Sequence, residues 1–245
     1  MEAARLPRLY VAPLPGPGDT SRLDAKQAHY LTVVLRRKSG DRFLAFNEAQ
    51  GEWLAELEQV RKHDWALRIV EQRKPPQALP DVWYLFAPLK HERLDYLAQK
   101  ITEMGACRAI PVLTDHAQRQ TLNLDRLKAN MIEAAEQCEL VGIPSLEPPQ
   151  PLDAVLARWP KDRALVWCNE DRRDTGPLDD LGRVPAGPVA LLIGPEGGFS
   201  EAERARLSAL PFVHPLGLGP RVLRADTAAV AALALIQAVL GDWRR

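Results

Sequence analysis

The spacing of apolar and polar residues changes once along the chain, close to residue 75. Before that point, short segments alternate apolar and polar side chains, which is the pattern of strands with one buried face. We predict strands over residues 8–11, 42–46, 52–60 and 65–70. Residues 25–35 instead repeat apolar positions at helical spacing, and Asp24 is placed to cap that helix. Short strands around one helix predict a small β-barrel domain over residues 1–74.

Residues 75–80 form a proline-rich connector, and an alternation of strands and helices follows it. Pro75, Pro76 and Pro80 favour an extended, semi-rigid linker. Apolar runs beyond the linker predict strands over residues 82–89, 109–113, 165–168, 189–193 and 212–216. Further segments predict helices over residues 92–104, 124–140, 152–159 and 225–240, and one that begins at Ser200. This alternation predicts an α/β domain with a mainly parallel sheet over residues 81–245.

Composition and charge exclude several kinds of site and point to no partner by themselves. The chain has 32 basic and 32 acidic residues, so its net charge gives no sign of a nucleic-acid partner. Residues 1–74 alone carry 13 basic and 10 acidic side chains, so a nucleic-acid role would have to depend on a local patch in the first domain. Three cysteines without a CxxC pair and five scattered histidines predict neither a disulfide framework nor a metal site.

The absence of long apolar segments predicts the compartment. The longest apolar run, residues 228–236, has nine residues, whereas a membrane-spanning helix needs about 20. The first residues contain no apolar stretch of the kind that a secretory signal has. We therefore expect a cytoplasmic protein without a membrane partner.

The strongest chemical signal is a glycine-rich segment at residues 189–200, VALLIGPEGGFS. An apolar strand leads directly into the glycines, and Ser200 and Glu203 then have the spacing of a helix-capping box. Glycines at such a place let a ligand approach the backbone closely. The segment lacks both the G-x-G-x-x-G pattern and the P-loop lysine, which disfavours NAD and ATP. The alternative interpretation is an ordinary strand-to-helix turn.

A second segment, LGLGPRVLRADTAA at residues 216–229, repeats the order of strand, glycine-rich loop and helix. Arg221 and Arg224 lie in this loop between two apolar elements, where arginines usually have an anionic partner. That partner is either a ligand or an acidic side chain of the protein itself. Asp226 and Thr227 are candidates for capping the last helix.

Together, IGPEGGFS and LGPRVLRADTA resemble the RsmE family of ribosomal-RNA methyltransferases, which belongs to the SPOUT superfamily. Residues 89–105, the EAAEQC segment at 133–138, and the RLYV, HY, VLR and GD segments near the N-terminus are similar to further motifs of that family. The resemblance therefore covers the chain in order. It implies a PUA-like RNA-binding β-barrel at residues 1–74, and at residues 81–245 a SPOUT domain that carries a deep trefoil knot, binds the cofactor and forms a homodimer.

The resemblance also implies an activity. The family transfers a methyl group from S-adenosylmethionine, without a metal, to N3 of one uridine in 16S ribosomal RNA of the assembled small subunit. The implied cofactor pocket contains residues of both glycine-rich segments and of one neighbouring strand: Ile193, Gly194, Pro195, Glu196, Gly197, Gly198, Leu216, Gly217, Leu223, Arg224, Thr227 and Val166.

Other residues are candidates for the chemistry and for RNA binding. N3 of uridine carries a weakly acidic proton, so the site must stabilise charge on the uracil while the methyl group is held in line. Arg221 and Arg224 are candidates for that role, and Glu196 is a candidate proton acceptor or, equally, a residue that holds its own loop. The RNA-binding candidates are the basic residues of the first domain: Arg8, Arg36, Arg37 and Lys38.

The chain departs from the family pattern at two places, and two other functions stay open. Asp226 stands where the family usually has glutamate, and residues 139–142, ELVG, stand where an arginine is common. One alternative is a SpoU-like ribose 2′-O-methyltransferase, because IGPEGGFS is also similar to the glycine-rich loop of that group. The other is a non-catalytic RNA-binding assembly factor. Intact glycines and both arginines favour an active enzyme over that factor.

Overall fold

The structure is a computed structural model that describes residues 6–117 and 121–244. The chain divides into two compact units, and the first contains a segment that is distant in sequence from the rest of it and interrupts the second. The units are Met1–Ala78 with Ala135–Ile143, and Leu79–Ala134 with Pro144–Arg245.

The first unit includes a segment that the sequence analysis placed in the second domain. Ala135–Ile143 belongs to it because this segment is hydrogen-bonded to the strand around Arg8. The Arg8 guanidinium donates to the carbonyls of Ala135 and Leu140, and the carboxylate of Glu136 accepts from the Tyr10 N–H at 2.9 Å. Long-range bonds of this kind leave no trace in local periodicity.

Five strands form the sheet of the first unit: β1 (Arg8–Tyr10), β2 (Thr20–Arg22), β3 (Arg42–Asn47), β4 (Gly51–Arg61) and β5 (Asp64–Lys74). Their order is β1-β3-β4-β5-β2, with β1 parallel to β3 and the other pairs antiparallel. Four of these strands lie where the alternation predicted them. The sequence analysis missed β2 because its three residues, TSR, contain no apolar position.

The helix predicted from Asp24 is present and changes its form halfway. Asp24 caps α1 (Ala25–His29) in a reciprocal capping box with Gln27. The chain continues as a π-helical turn over Tyr30–Val34. Leu31 of this turn is buried on one face of the sheet, together with side chains from β3, β4 and β5: Phe43, Ala45, Leu57 and Leu67.

Seven strands form the sheet of the second unit: β6 (Val82–Phe86), β7 (Arg108–Leu113), β8 (Ser145–Leu146), β9 (Gln150–Pro151), β10 (Ala164–Cys168), β11 (Val189–Ile193) and β12 (Val213–Leu216). Their order is β12-β10-β11-β6-β7-β8, with β9 beside β7. Each pairing is parallel, so the predicted parallel sheet is confirmed. The deep knot stays a prediction.

Helices cover both faces of this sheet: α2 (His91–Glu103), α3 (Leu124–Gln137), α4 (Leu152–Leu156), α5 (Pro177–Leu181), α6 (Glu201–Ala209) and α7 (Ala225–Val239). On one face, Leu97 of α2 and Leu233 of α7 are buried with Leu191 of β11. On the other face, Leu207 of α6 is buried with Leu192. Two covered faces explain why the strands are continuous apolar runs. Within the described ranges, no helix is long and apolar enough to cross a membrane.

Several elements differ from the prediction, and most of the differences have a local reason. Strand β6 ends at Phe86 instead of residue 89, because Pro88 has no N–H to extend a ladder. Helix α3 ends at Gln137 instead of residue 140, because Glu139 adopts a positive φ of 59°. Helix α4 ends at Leu156 instead of residue 159. Helix α5 was not predicted, since a single turn is too short to show a periodicity.

Candidate functional site

A cavity of about 360 Å³ lies in the second unit, where three neighbouring strands end. The strands are β10, β11 and β12, which are adjacent and parallel, so their carboxyl ends meet at one edge of the sheet. Ligands in open parallel sheets bind outside such strand ends. The walls consist of the segments that follow these strands and of the first turn of α7.

The loop after β11 forms the first wall. Its Gly198 has a φ of +70°, which side chains disfavour, and its N–H donates to the Pro195 carbonyl at 2.9 Å to close a turn. A Cβ on Gly194 would lie 2.6 Å from the Phe199 ring. Ser200 then caps α6 in a capping box with Glu203, as predicted.

The loop after β12 forms the opposite wall and includes a close crossing of two backbones. A Cβ on Gly217 would lie 2.1 Å from the carbonyl oxygen of Arg172, so no side chain fits there. Gly219 has a φ of +88° and open space around it. The N-cap of α7 is Arg224, not Asp226 or Thr227. That capping prediction was wrong because the helix begins at Ala225, which places both residues within its first turn.

A buried carboxylate joins the loop after β10 to the loop after β12. Asp180 of α5 accepts hydrogen bonds from the Arg172 guanidinium at 2.6 Å, the Thr175 hydroxyl at 3.0 Å and the Gly217 N–H at 3.0 Å. Burial alone would raise the pKa of Asp180, but these three donors outweigh it and lower its pKa. The carboxylate is therefore held ionised beneath the pocket wall.

Charged side chains around the cavity fall into paired and unpaired groups. Arg204 donates to the Phe199 carbonyl at 3.0 Å and forms an ion pair with Glu170 at 3.1 Å, which joins two of the walls. Arg93 of α2 forms an ion pair with Glu196. Arg221 and Arg224 also line the cavity, and they are exposed and form no ion pair in the part of the chain that the structure describes.

The floor of the cavity is less polar than its rim. Burial raises the pKa of the Cys168 thiol far above its ordinary value. This side chain therefore lines the cavity as an uncharged thiol and does not act as a nucleophile. The indole N–H of Trp167, which also lines the cavity, is buried without a hydrogen-bond partner. Over residues 6–117 and 121–244, no cluster of His, Cys, Asp or Glu has the arrangement of a metal site.

Most residues predicted for the cofactor pocket line this cavity, namely Ile193, Gly194, Pro195, Glu196, Gly198, Leu216, Leu223 and Arg224. Four predicted residues do not line it. Gly197 faces His116, whose Nδ1 lies 3.2 Å from the Gly197 carbonyl oxygen. Gly217 supports the wall from behind, Val166 is fully buried within the sheet and Thr227 is exposed on α7.

The sequence analysis missed three residues that hold the site together, Arg93, Asp180 and Arg204. Each lies on a helix and acts on a loop that is distant in sequence. The S-x-x-E cap at Ser200 placed the start of α6 correctly, which gives the position of Arg204 but not its partners. Nothing in the local sequence marks the other two.

The four RNA-binding candidates divide into one buried residue and three at a turn. Arg8 is buried, pairs with Glu52 at 2.7 Å and stacks on the Phe46 ring, so its assignment to RNA is corrected to a structural role. The reason is that a guanidinium enclosed by a carboxylate, a ring and backbone carbonyls has no free face for a phosphate. Arg36 and Lys38 are exposed, and Arg37 is half-buried.

Two family models match the chain. The model described as an RNA methyltransferase domain matches residues 75–237, and the one described as an RNA methyltransferase PUA domain matches residues 23–70. Ribosomal RNA small subunit methyltransferase E of Bacillus subtilis is 30% identical over 232 residues, which is 89% of each chain. The Synechocystis protein of the same name is 31% identical over 240 residues, which is 95% of this chain and 78% of that one.

Solved structures resemble the whole chain. The Ribosomal RNA small subunit methyltransferase E of Neisseria gonorrhoeae, bound to S-adenosyl methionine, aligns with a TM-score of 0.84 and 25% identity, covering 98% of this chain and 100% of that one. A methyltransferase of Legionella pneumophila, in complex with the cofactor SAM, aligns with a TM-score of 0.82 and 31% identity. That alignment covers 96% of this chain and 98% of the other.

Proposed function

The chain belongs to the RsmE family of RNA methyltransferases, and from this premise we propose that it methylates N3 of a uridine in 16S ribosomal RNA, using S-adenosylmethionine. The observation that carries the proposal is the cavity at the ends of β10, β11 and β12, which two glycine-rich loops enclose and two unpaired arginines border. The substrate is the assembled small subunit, and the enzyme works as a cytoplasmic homodimer.

The residues of the cavity fit S-adenosylmethionine. A volume of about 360 Å³ is in the range of small-molecule sites. Gly219 leaves open space in one wall where a side chain would stand, and backbone groups of such loops can bind an adenine and a ribose. The unpartnered indole N–H of Trp167 is a donor that an acceptor on the cofactor would satisfy.

Bound S-adenosylmethionine supplies a methyl group that its positive sulfur already activates. The protein must align N3 with that methyl group and stabilise the charge on the uracil, while the N3 proton leaves to water. In this proposal Arg221 and Arg224, which line the cavity and form no ion pair within the described residues, stabilise negative charge on the uracil oxygens or hold a neighbouring phosphate. The ion pair between Glu196 and Arg93 supports a loop-holding role for Glu196 over that of proton acceptor. A paired uridine is inaccessible inside a helix, so the target base must be unstacked before it reaches the rim.

The two domains divide the work in this proposal. The first domain, residues 1–74, binds RNA with the basic turn at residues 36–38, and residues 75–80 connect it to the domain at 81–245, which binds the cofactor and forms the dimer. The match of a PUA-domain model to residues 23–70 supports this division.

Mass spectrometry of nucleosides tests the proposal directly. Small subunits that lack the modification are incubated with the protein and S-adenosylmethionine, and their RNA is digested. We expect 3-methyluridine in the digest only when both the protein and S-adenosylmethionine are present. A product of 2′-O-methyluridine would favour the SpoU-like alternative, and no product, with cofactor binding also absent by calorimetry, would favour a non-catalytic assembly factor.

A further inference from the structure

A basic surface at one end of the first unit extends beyond the predicted turn. The turn at residues 36–41 lies beside the β4–β5 hairpin, because the Gly40 N–H donates to the Leu57 carbonyl at 2.8 Å and the Leu57 N–H donates to the Asp41 carbonyl at 2.9 Å. The Gln59 N–H donates to the Ser39 hydroxyl at 3.2 Å. The turn and the tip of the hairpin, residues 59–63, are therefore neighbours.

The cations of these two segments have no acidic partners of their own. Arg36, Arg37, Lys38, Arg61 and Lys62 form no ion pair within the described ranges, and all of them except the half-buried Arg37 are exposed. The nearby acids are already engaged. Glu56 and Glu58 pair with Arg68, at 3.1 and 2.7 Å, and Asp64 pairs with Arg22. Glu56 and Glu58 share the single Arg68 guanidinium, and the Asp41 carboxylate accepts the Lys38 N–H at 2.9 Å. The five cations outnumber these acids, so this end of the unit carries a net positive charge.

Three further features of this surface indicate a ligand. Arg36 has a φ of 53°, a left-handed conformation that is costly for a residue with a side chain and is common at functional sites. The Nε of Arg37 is buried without a hydrogen-bond partner. Val60 at the hairpin tip is 47% exposed, and Val33 is 58% exposed just before the turn. Apolar side chains beside unpaired cations offer contacts to ribose and bases as well as to phosphates.

We infer that the hairpin tip at residues 59–63 and the turn at residues 36–39 form one RNA-docking surface. In it Arg61 and Lys62 contact phosphates together with Arg36, Arg37 and Lys38, and Val60 contacts an unstacked nucleotide. The inference rests on the proposed RNA substrate, and it adds the hairpin to the residues that the sequence indicated. An RNA strand carries a phosphate at every nucleotide, so it can neutralise several neighbouring cations at once. A protein partner would need carboxylates at positions that match all five cations.

Salt-dependent binding of small ribosomal subunits and of oligouridylate tests the inference. We expect the double variant Arg61→Ala with Lys62→Ala, and the double variant Arg36→Ala with Lys38→Ala, each to weaken binding at least tenfold. Each should also reduce the slope of the logarithm of the binding constant against the logarithm of the salt concentration by about 1.4. Each contact to a phosphate of single-stranded RNA contributes about 0.7 to that slope, and each variant removes two contacts. The matched control removes two exposed cations from the second unit, Lys128→Ala with Lys161→Ala. It should change neither quantity.

The outcomes separate this surface from the proposed function. If the hairpin variant binds RNA like the control, the hairpin is not part of the surface. If the variants keep RNA binding but lose binding of polyglutamate, the surface recognises an acidic protein, and the inference is overturned. A wild-type protein that binds RNA through these cations but yields no 3-methyluridine would refute the proposed function alone. A photoreactive residue at Val60 should cross-link to RNA, and one at the exposed Leu178 of α5 should not.

Discussion

Replacing Asp180 should loosen the cofactor pocket although this residue does not line it. Asp180→Ala removes the acceptor for three donors and leaves the Gly217 N–H buried and unpaired, which costs about 1–3 kcal/mol on its own. The Arg172 guanidinium loses its buried partner but keeps some contact with water. We therefore expect a loss of about 3 kcal/mol in the free energy of unfolding. Asp180→Asn keeps one oxygen for the Gly217 N–H and should lose only about 1 kcal/mol.

Two measurements on the same variants check this reasoning. Urea unfolding gives the loss of stability, and titration calorimetry gives the affinity for S-adenosylmethionine, which should fall at least tenfold for Asp180→Ala, or about 1.4 kcal/mol. Asp179→Ala, an exposed neighbour on the same helix, is the matched control and should change neither value. If Asp180→Ala binds the cofactor like the control and loses under about 0.5 kcal/mol, the carboxylate does not hold the wall.

Three further predictions follow from the site. Arg224→Ala should lower turnover about a hundredfold with little change in melting temperature, and activity within a few-fold of wild type would make it structural. Gly198→Ala should weaken cofactor binding because φ is +70° there and the added Cβ would lie 2.8 Å from Glu170, whereas unchanged affinity would contradict that role of the loop. The pKa of Asp180 is lower in the folded protein than its ordinary value of 3.8. Its stabilisation is thus complete above pH 3.8 and lost as pH falls through the folded value, so urea unfolding of wild type and Asp180→Asn should converge in strong acid.

Local sequence patterns predicted most of the architecture because the elements are periodic and clearly bounded. The strand at Val189–Ile193 and the capped start of α6 agree with the structure to the residue. Both depend on interactions between residues a few positions apart. The parallel sheet followed from the order of the elements alone.

The remaining features depend on contacts between distant residues, which no local pattern encodes. Arg8 was predicted to bind RNA because it is a basic residue of the first domain, but Glu52 and the carbonyls of Ala135 and Leu140 enclose it. Glu196 was a candidate base because it stands in the glycine-rich loop, but Arg93 comes from a helix about a hundred residues earlier. In both cases the charge of the residue correctly indicated that it has a partner of opposite charge. The identity of that partner could not be predicted, because it is distant in sequence.

The crossing of two backbones at Gly217 limits how this part of the chain can vary. Since a Cβ would lie 2.1 Å from the Arg172 carbonyl oxygen, even alanine would force the two loops apart. Most single-nucleotide changes in a glycine codon add a side chain and would therefore be removed by selection. In a saturation-mutagenesis library selected for function, position 217 should accept no replacement, while Gly219, which has open space around it, should tolerate asparagine.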